Sequence, residues 1–285
     1  MKRPSNSTLT FIGLLLIAVI IVVAVVLHGL SGDYAGSHKP ANPSAIQHPA
    51  VGLSASANDT KLHLLTRSFH TGIVPLRFAI QSPDGLARTR FETVEASKMH
   101  LVVARTDLGT YQHLHPKLGS NGIWTANVHF RTPGSYQIIV DFQPVGAPRT
   151  ALSAEVSVGP GSFQHQAIPA PVQLMQVDGF DVHIDASRIT HKSGHRLKLT
   201  ITRNGSPAQL KSEEGNYGLA VLLRIPDLAY VHTIAIEPQP AKGIIVFTAD
   251  LPTPGRYEAF VEFEAEGAEH LARFTIDSRT TAPAA

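Results

Sequence analysis

Beyond residue 60 the chain alternates between apolar and polar positions. Trp124, Ala126, Val128 and Phe130 interleave with Thr125, Asn127 and His129, a period of two that sends one face of a strand into a core and the other into water. Tyr136, Ile138, Val140 and Phe142 repeat the pattern. Gly, Pro, Asn and Asp punctuate these segments at roughly ten-residue intervals, the spacing of a β-sandwich. The alternation predicts strands near 62–68, 75–81, 98–105, 110–115, 122–130, 135–142 and 151–158. It predicts a second set near 173–177, 180–186, 195–203, 217–224, 228–236, 243–250, 256–264 and 269–276. Leu86 to Lys98 can accommodate a helical turn, and no long helix is expected after residue 31.

One segment breaks the alternation. Thr8 to Leu30 is almost unbroken apolar sequence without an acidic or basic residue, long enough for the ~20 residues of a bilayer-spanning helix. Lys2 and Arg3 precede it and Asp33 is the first charge after it, which places the N-terminus in the cytoplasm and the rest outside. A cleaved signal peptide is the rival reading; its apolar core is normally about 7–15 residues and ends in a small-x-small site. Gly29-Leu30-Ser31-Gly32 is a poor cleavage site, so an uncleaved anchor is favoured. The compartment is the same in both cases.

The strand sets are copies of one another. Thr132-Pro133-Gly134-Ser135-Tyr136 recurs as Thr253-Pro254-Gly255-Arg256-Tyr257, and Asp107-Leu108, Tyr111 and His113 recur as Asp227-Leu228, Tyr230 and His232. The expected organisation is a cytoplasmic tip and anchor over 1–31, a flexible linker over 32–60, a first repeat over 61–160, a linker over 161–172, a second repeat over 173–278 and a tail over 279–285. The fold class expected is mainly β: two tandem immunoglobulin-like β-sandwiches preceded by one N-terminal transmembrane helix.

Composition narrows the chemistry. The chain has no cysteine, which excludes disulfides, thiolate metal sites and cysteine nucleophiles. Three methionines argue against a methionine-rich copper(I) store. A net charge of +2 without long charge runs gives no basic patch for nucleic acid. No G-x-S-x-G elbow, phosphate-cradling glycine loop or H-E-x-x-H is present, so no enzymatic activity is expected.

Histidine is the residue type that distinguishes the copies. His100 to Pro116 reads as a hairpin. An even loop centred between Asp107 and Leu108 pairs Ala104 with Tyr111, Val102 with His113 and His100 with His115. Opposed residues share a face, so His100, His113 and His115 converge. Three neutral imidazoles suit Zn(II) or Cu(II). A loop one residue longer or shorter would send His100 to the other face. In the second copy, Leu219 and Ile234 stand opposite His100 and His115, so His232 is left without the other two and no second site is expected. His129 is either a fourth ligand or an exposed strand histidine. Asp107 and Asp227 read as turn-capping carboxylates. Structural or partner-binding histidines remain the alternative to a metal site.

Lys98-Met99-His100-Leu101, Asp107-Leu108, Gln112-His113-Leu114-His115-Pro116 and the Thr132 to Tyr136 motif resemble bacterial secreted or membrane-anchored proteins with tandem YtkA-like and CopC-like immunoglobulin-type sandwiches. That resemblance implies copper or other heavy-metal handling in the envelope, with His100, His113 and His115 as ligands. The expected cofactor is a copper or zinc ion. The expected partners are the membrane, through the N-terminal helix, and an envelope metal-handling protein. Set against this is a non-metal envelope scaffold of immunoglobulin-like domains.

Overall fold

A computed structural model describes residues 52–160, 167–186, 194–212 and 216–278. The anchor, linker and tail expected over 1–31, most of 32–60 and 279–285 lie outside the described residues. Among the described residues no helix is long and apolar enough to cross a membrane.

The first repeat consists of β1 (Ser56–Ala57), β2 (Thr60–Leu64), β3 (Ser68–Phe69), β4 (Gly72–Gln81) and β5 (Met99–Arg105). It continues with β6 (Tyr111–Leu114), β7 (Lys117–Leu118), β8 (Ile123–Phe130), β9 (Gly134–Phe142) and β10 (Thr150–Val158). These form two five-stranded sheets, ordered β1-β2-β4-β8-β7 and β3-β10-β9-β5-β6. Between them lie Leu76, Phe78, Trp124, Val128, Phe130, Tyr136, Ile138 and Val140, all buried. The alternation placed these residues inward, and the sandwich follows from it. Leu86 to Lys98 holds no helical turn. Isolated bridges join Gln81 to Ala87, Phe91 to Pro144 and Val94 to Ser97, and Glu95 and Ala96 adopt positive φ in the tight turn between the last two.

The second repeat holds β11 (Leu174–Val177), β12 (Phe180–Asp185), β13 (His195–Arg203), β14 (Ser206–Pro207) and β15 (Leu210–Lys211). After these come β16 (Leu219–Ile225), β17 (Tyr230–Gln239), β18 (Ile244–Ala249), β19 (Gly255–Ala265) and β20 (Ala268–Ser278). Here the two layers join into one ten-stranded sheet because β17 pairs with β16 through its first residues and with β18 through later ones. In the first repeat the corresponding strand is broken into β6 and β7. Pro116 supplies the break, since it lacks a ladder N–H; Ala235 stands in its place in the second repeat. His115 falls at that break, exposed and outside the ladder.

The repeated motifs form scaffold. The Tyr136 hydroxyl donates to the Thr132 carbonyl at 2.7 Å and Tyr257 to that of Thr253 at 2.8 Å, the tyrosine corner of immunoglobulin-like sandwiches. Arg105 grips Asp107 through two hydrogen bonds, at 2.7 and 2.9 Å, and reaches Thr132. Arg224, Asp227 and Thr253 repeat the arrangement. Asp107 accepts the Gly109 N–H at 2.9 Å and Asp227 that of Ala229 at 3.2 Å, the turn-capping role expected of both.

The repeats meet through equivalent faces. Val102, Ala104, Leu108 and Ile139 of the first pack with Val221, Leu223, Leu228 and Phe260 of the second in a separate apolar cluster. Tyr111 stacks on Phe260 with ring centroids 3.9 Å apart. β5 is therefore buried on both sides along its whole length, which accounts for its continuous apolar run. Leu108 and Leu228 adopt φ of 61° and 58°, a region that costs a non-glycine residue roughly 1–2 kcal/mol. Burying a leucine side chain contributes about 1.5–3 kcal/mol. Burial in the seam therefore wins, and leucine occupies a position that turn chemistry would give to glycine or asparagine.

Candidate metal centre

β5 and β6 pair in the expected register, Ala104 with Tyr111 and Val102 with His113. The third pair does not form. The ladder ends at Leu101 with Leu114, and His115 follows as strand-free backbone. All three imidazoles nevertheless meet, and one nitrogen from each of His100, His113 and His115 lies within 4.8 Å of the others. Ring centroids are 5.3 Å apart for His100 and His113, 5.1 Å for His100 and His115, and 4.8 Å for His113 and His115. His129 is exposed and lies outside this group.

The nitrogens are oriented by their outer partners. His100 Nε2 lies 3.2 Å from the Val94 carbonyl and His113 Nδ1 lies 3.0 Å from Glu262 Oε2. Carbonyl and carboxylate oxygens only accept, so each outer nitrogen carries the hydrogen, and in a neutral imidazole the other nitrogen then presents a lone pair. Those other nitrogens, His100 Nδ1 and His113 Nε2, face one another at 3.1 Å. Two opposed lone pairs at that distance require a positive centre between them, a proton or a metal ion. Burial, followed by the neighbouring His113, pushes His100 down to about 4, so His100 Nδ1 takes part as a neutral lone-pair donor, to a proton carried by His113 or to a metal ion.

The donor set fits a divalent transition metal. Zinc–nitrogen bonds of about 2.0–2.1 Å span ligand nitrogens up to roughly 4 Å apart. His100 and His113 satisfy that limit at 3.1 Å, and the nearest nitrogen of His115 stands within 4.8 Å of both. A carboxylate or backbone carbonyl on the far nitrogen is the usual support of a metal-bound imidazole.

The sequence reading placed the cluster at the open end of one hairpin. It lies at the seam between repeats, and Glu262 on β19 of the second repeat takes part. His232 is likewise not without partners. Its Nε2 donates to Glu95 Oε1 at 2.9 Å, and its Nδ1 lies 3.1 Å from Asp141 Oδ2. Arg149 holds Asp141 through bonds of 2.9 and 3.0 Å, and the Tyr230 hydroxyl donates to Asp141 Oδ2 at 3.0 Å. Burial opposes charge on His232, but Asp141 and Glu95 outweigh it and raise its pKa. Burial likewise opposes charge on Asp141, and His232 and Arg149 hold it well below the usual carboxylate range. One signal for these residues was present in the sequence. Asp141 and Glu262 occupy the same position of the duplicated Val-acid-Phe segment, beside Ile139 and Phe260 on what alternation assigns as the wet face.

The domain of unknown function DUF8832 matches the chain twice, over residues 55–158 and 175–280. The chain belongs to that family. The family description assigns no ligand or activity. No curated protein matches the chain. Among solved structures it is similar to a DUF4426 family protein from Pseudomonas aeruginosa, with 10% identity and a TM-score of 0.31 over 38% of this chain and 98% of that one. The Lin-41 filamin domain shows 15% identity and a TM-score of 0.27 over 39% and 99%. The adhesin InvE of Yersinia pseudotuberculosis shows 13% and 0.23 over 78% and 59%. At these TM-scores the likenesses carry no argument about function.

Proposed function

We propose that this DUF8832 protein is a non-enzymatic binding module whose paired β-sandwiches hold one divalent transition metal ion, copper or zinc, on His100, His113 and His115. The observation that supports this reading is the 3.1 Å approach of His100 Nδ1 and His113 Nε2, each with its outer nitrogen tied to an acceptor. The all-nitrogen donor set favours Cu(II), then Zn(II), by the general affinity order. Thr8 to Leu30 would tether the module outside the cytoplasm, for metal buffering or delivery to an envelope partner.

One observation favours a second reading, a scaffold or interaction module whose histidines only join the repeats. At the equivalent position His232 makes a buried tie to Asp141 and Glu95, and among the described residues it belongs to no cluster of three metal-ligand side chains. Calorimetric titration with Cu(II) and Zn(II) separates the two. The metal reading expects one ion per chain, lost in the His113→Ala, His115→Ala double variant. A parent protein that binds no stoichiometric ion, or a double variant that binds as well as the parent, leaves the scaffold reading.

A further inference from the structure

The histidines belong to the first repeat, as does the Val94 carbonyl behind His100, but the acceptor behind His113 does not. Glu262 lies on β19 of the second repeat and is the acceptor for His113 Nδ1 at 3.0 Å. By accepting from Nδ1, Glu262 selects the tautomer of His113 whose Nε2 lone pair faces His100. Leu219, which pairs with Glu262 in the β16–β19 ladder, and Phe260 hold that strand in the seam. Tyr111, two residues before His113, stacks on Phe260. The orientation of His113 is thus coupled to the docking of the second repeat by one hydrogen bond and one ring stack.

We infer that the metal site is shared between the repeats. Glu262 is a positioning residue that presents His113 Nε2 to the ion, so occupancy of the site fastens the second repeat to the first. This inference rests on the metal reading above. The two are reciprocal by linkage: if docking strengthens metal binding, metal binding strengthens docking by the same factor. Removing an acceptor behind a metal-bound histidine typically costs 10–100-fold in metal affinity.

The test uses the full-length chain with Zn(II) or Cu(II) alone, comparing the parent with Glu262→Gln and Glu262→Met. Glutamine keeps an oxygen that accepts from His113 Nδ1. Methionine fills similar space and offers no oxygen. Circular dichroism and the fluorescence of Trp124, the single tryptophan, establish that each variant is folded. The inference expects Glu262→Met to bind roughly 10–100-fold more weakly, with Glu262→Gln within about fivefold of the parent. It also expects the parent's metal-induced rise in Tm to shrink in Glu262→Met, and the nitrogen hyperfine pattern of bound Cu(II) to change. A purely structural glutamate would lower the metal-free Tm of both variants and leave affinity and spectrum alone, which overturns the inference while the metal site stands. Equal weakening in both variants also overturns positioning by hydrogen bonding. A parent that binds no metal overturns the metal reading itself.

Discussion

His113 Nδ1 and Glu262 Oε2 lie 3.0 Å apart, joining β6 of the first repeat to β19 of the second. Their counterparts are exchanged in the opposite sense: His232 of the second repeat meets Asp141 of the first at 3.1 Å. Each repeat therefore supplies a histidine to the other's acidic residue, about an apolar cluster built from equivalent positions of both. The two crossings have diverged. Around His232 lie Glu95, Asp141 and Arg149, which with it make two acidic and two basic groups. Around His113 lie His100 and His115, a set of nitrogen donors.

The crossing of His232 with Asp141 is expected to be structural. Asp141→Asn removes the buried carboxylate that Arg149 and His232 share and leaves them only the more exposed Glu95 among the carboxylates beside them. Breaking a buried pair on one side costs about 3–5 kcal/mol, and with Glu95 still beside both cations urea unfolding at pH 7 should show a loss at the lower end of that range. A loss below about 1 kcal/mol would mean the network contributes little.

The seam should make the repeats unfold together. Phe260→Ala removes the ring stacked on Tyr111 and is expected to cost about 3–5 kcal/mol. Trp124 reports the first repeat and far-UV circular dichroism reports both. Coincident transitions in the parent should separate in this variant.

Much of this was legible in the sequence, and the losses have physical reasons. Period-two alternation located the strands, because one face of each is a sandwich core. The hairpin register rested on an assumed even loop centred between Asp107 and Leu108, and Ala104 pairs with Tyr111 as that centring requires. His115 was placed in the ladder because nothing local showed that Pro116 ends it one residue sooner. Glu262 and Asp141 escaped notice because alternation sorts a strand into core and solvent and has no third state for a face buried by another domain. Ile139 and Phe260, apolar on that face in both copies, were the trace of it. Leu86 to Lys98 formed bridges rather than a helical turn because its backbone groups pair with neighbouring segments, as with Phe91 and Pro144.

Leu108 should reveal the balance between backbone strain and burial. Leu108→Gly relieves a positive φ but removes a side chain that is 4% exposed. With strain of roughly 1–2 kcal/mol against burial of about 1.5–3 kcal/mol, and added freedom in the unfolded chain, a net loss of about 1–2 kcal/mol is expected in chemical denaturation. A gain would show that the seam does not use this side chain.

Two histidines should shape the pH dependence of the metal-free chain with opposite signs. His100 has a folded pKa of about 4, below the ~6.5 of an unfolded histidine. Its contribution is present above ~6.5 and lost as pH falls toward 4. His232 is raised by Asp141 and Glu95, with Arg149, Tyr230 and His100 also beside it. Its contribution is present below ~6.5 and lost as pH climbs through its raised pKa. Urea unfolding in chelator at pH 4.5, 6.5 and 8.5 should show a shallower acid loss in His100→Gln and a shallower alkaline loss in His232→Gln.

X-ray absorption on the zinc- or copper-loaded chain tests the metal site most directly. The account predicts one ion per chain with three imidazole nitrogens, at about 2.0–2.1 Å for zinc, reduced in number by His113→Ala. A coordination shell of oxygen alone, or a shell unchanged by that substitution, would contradict it.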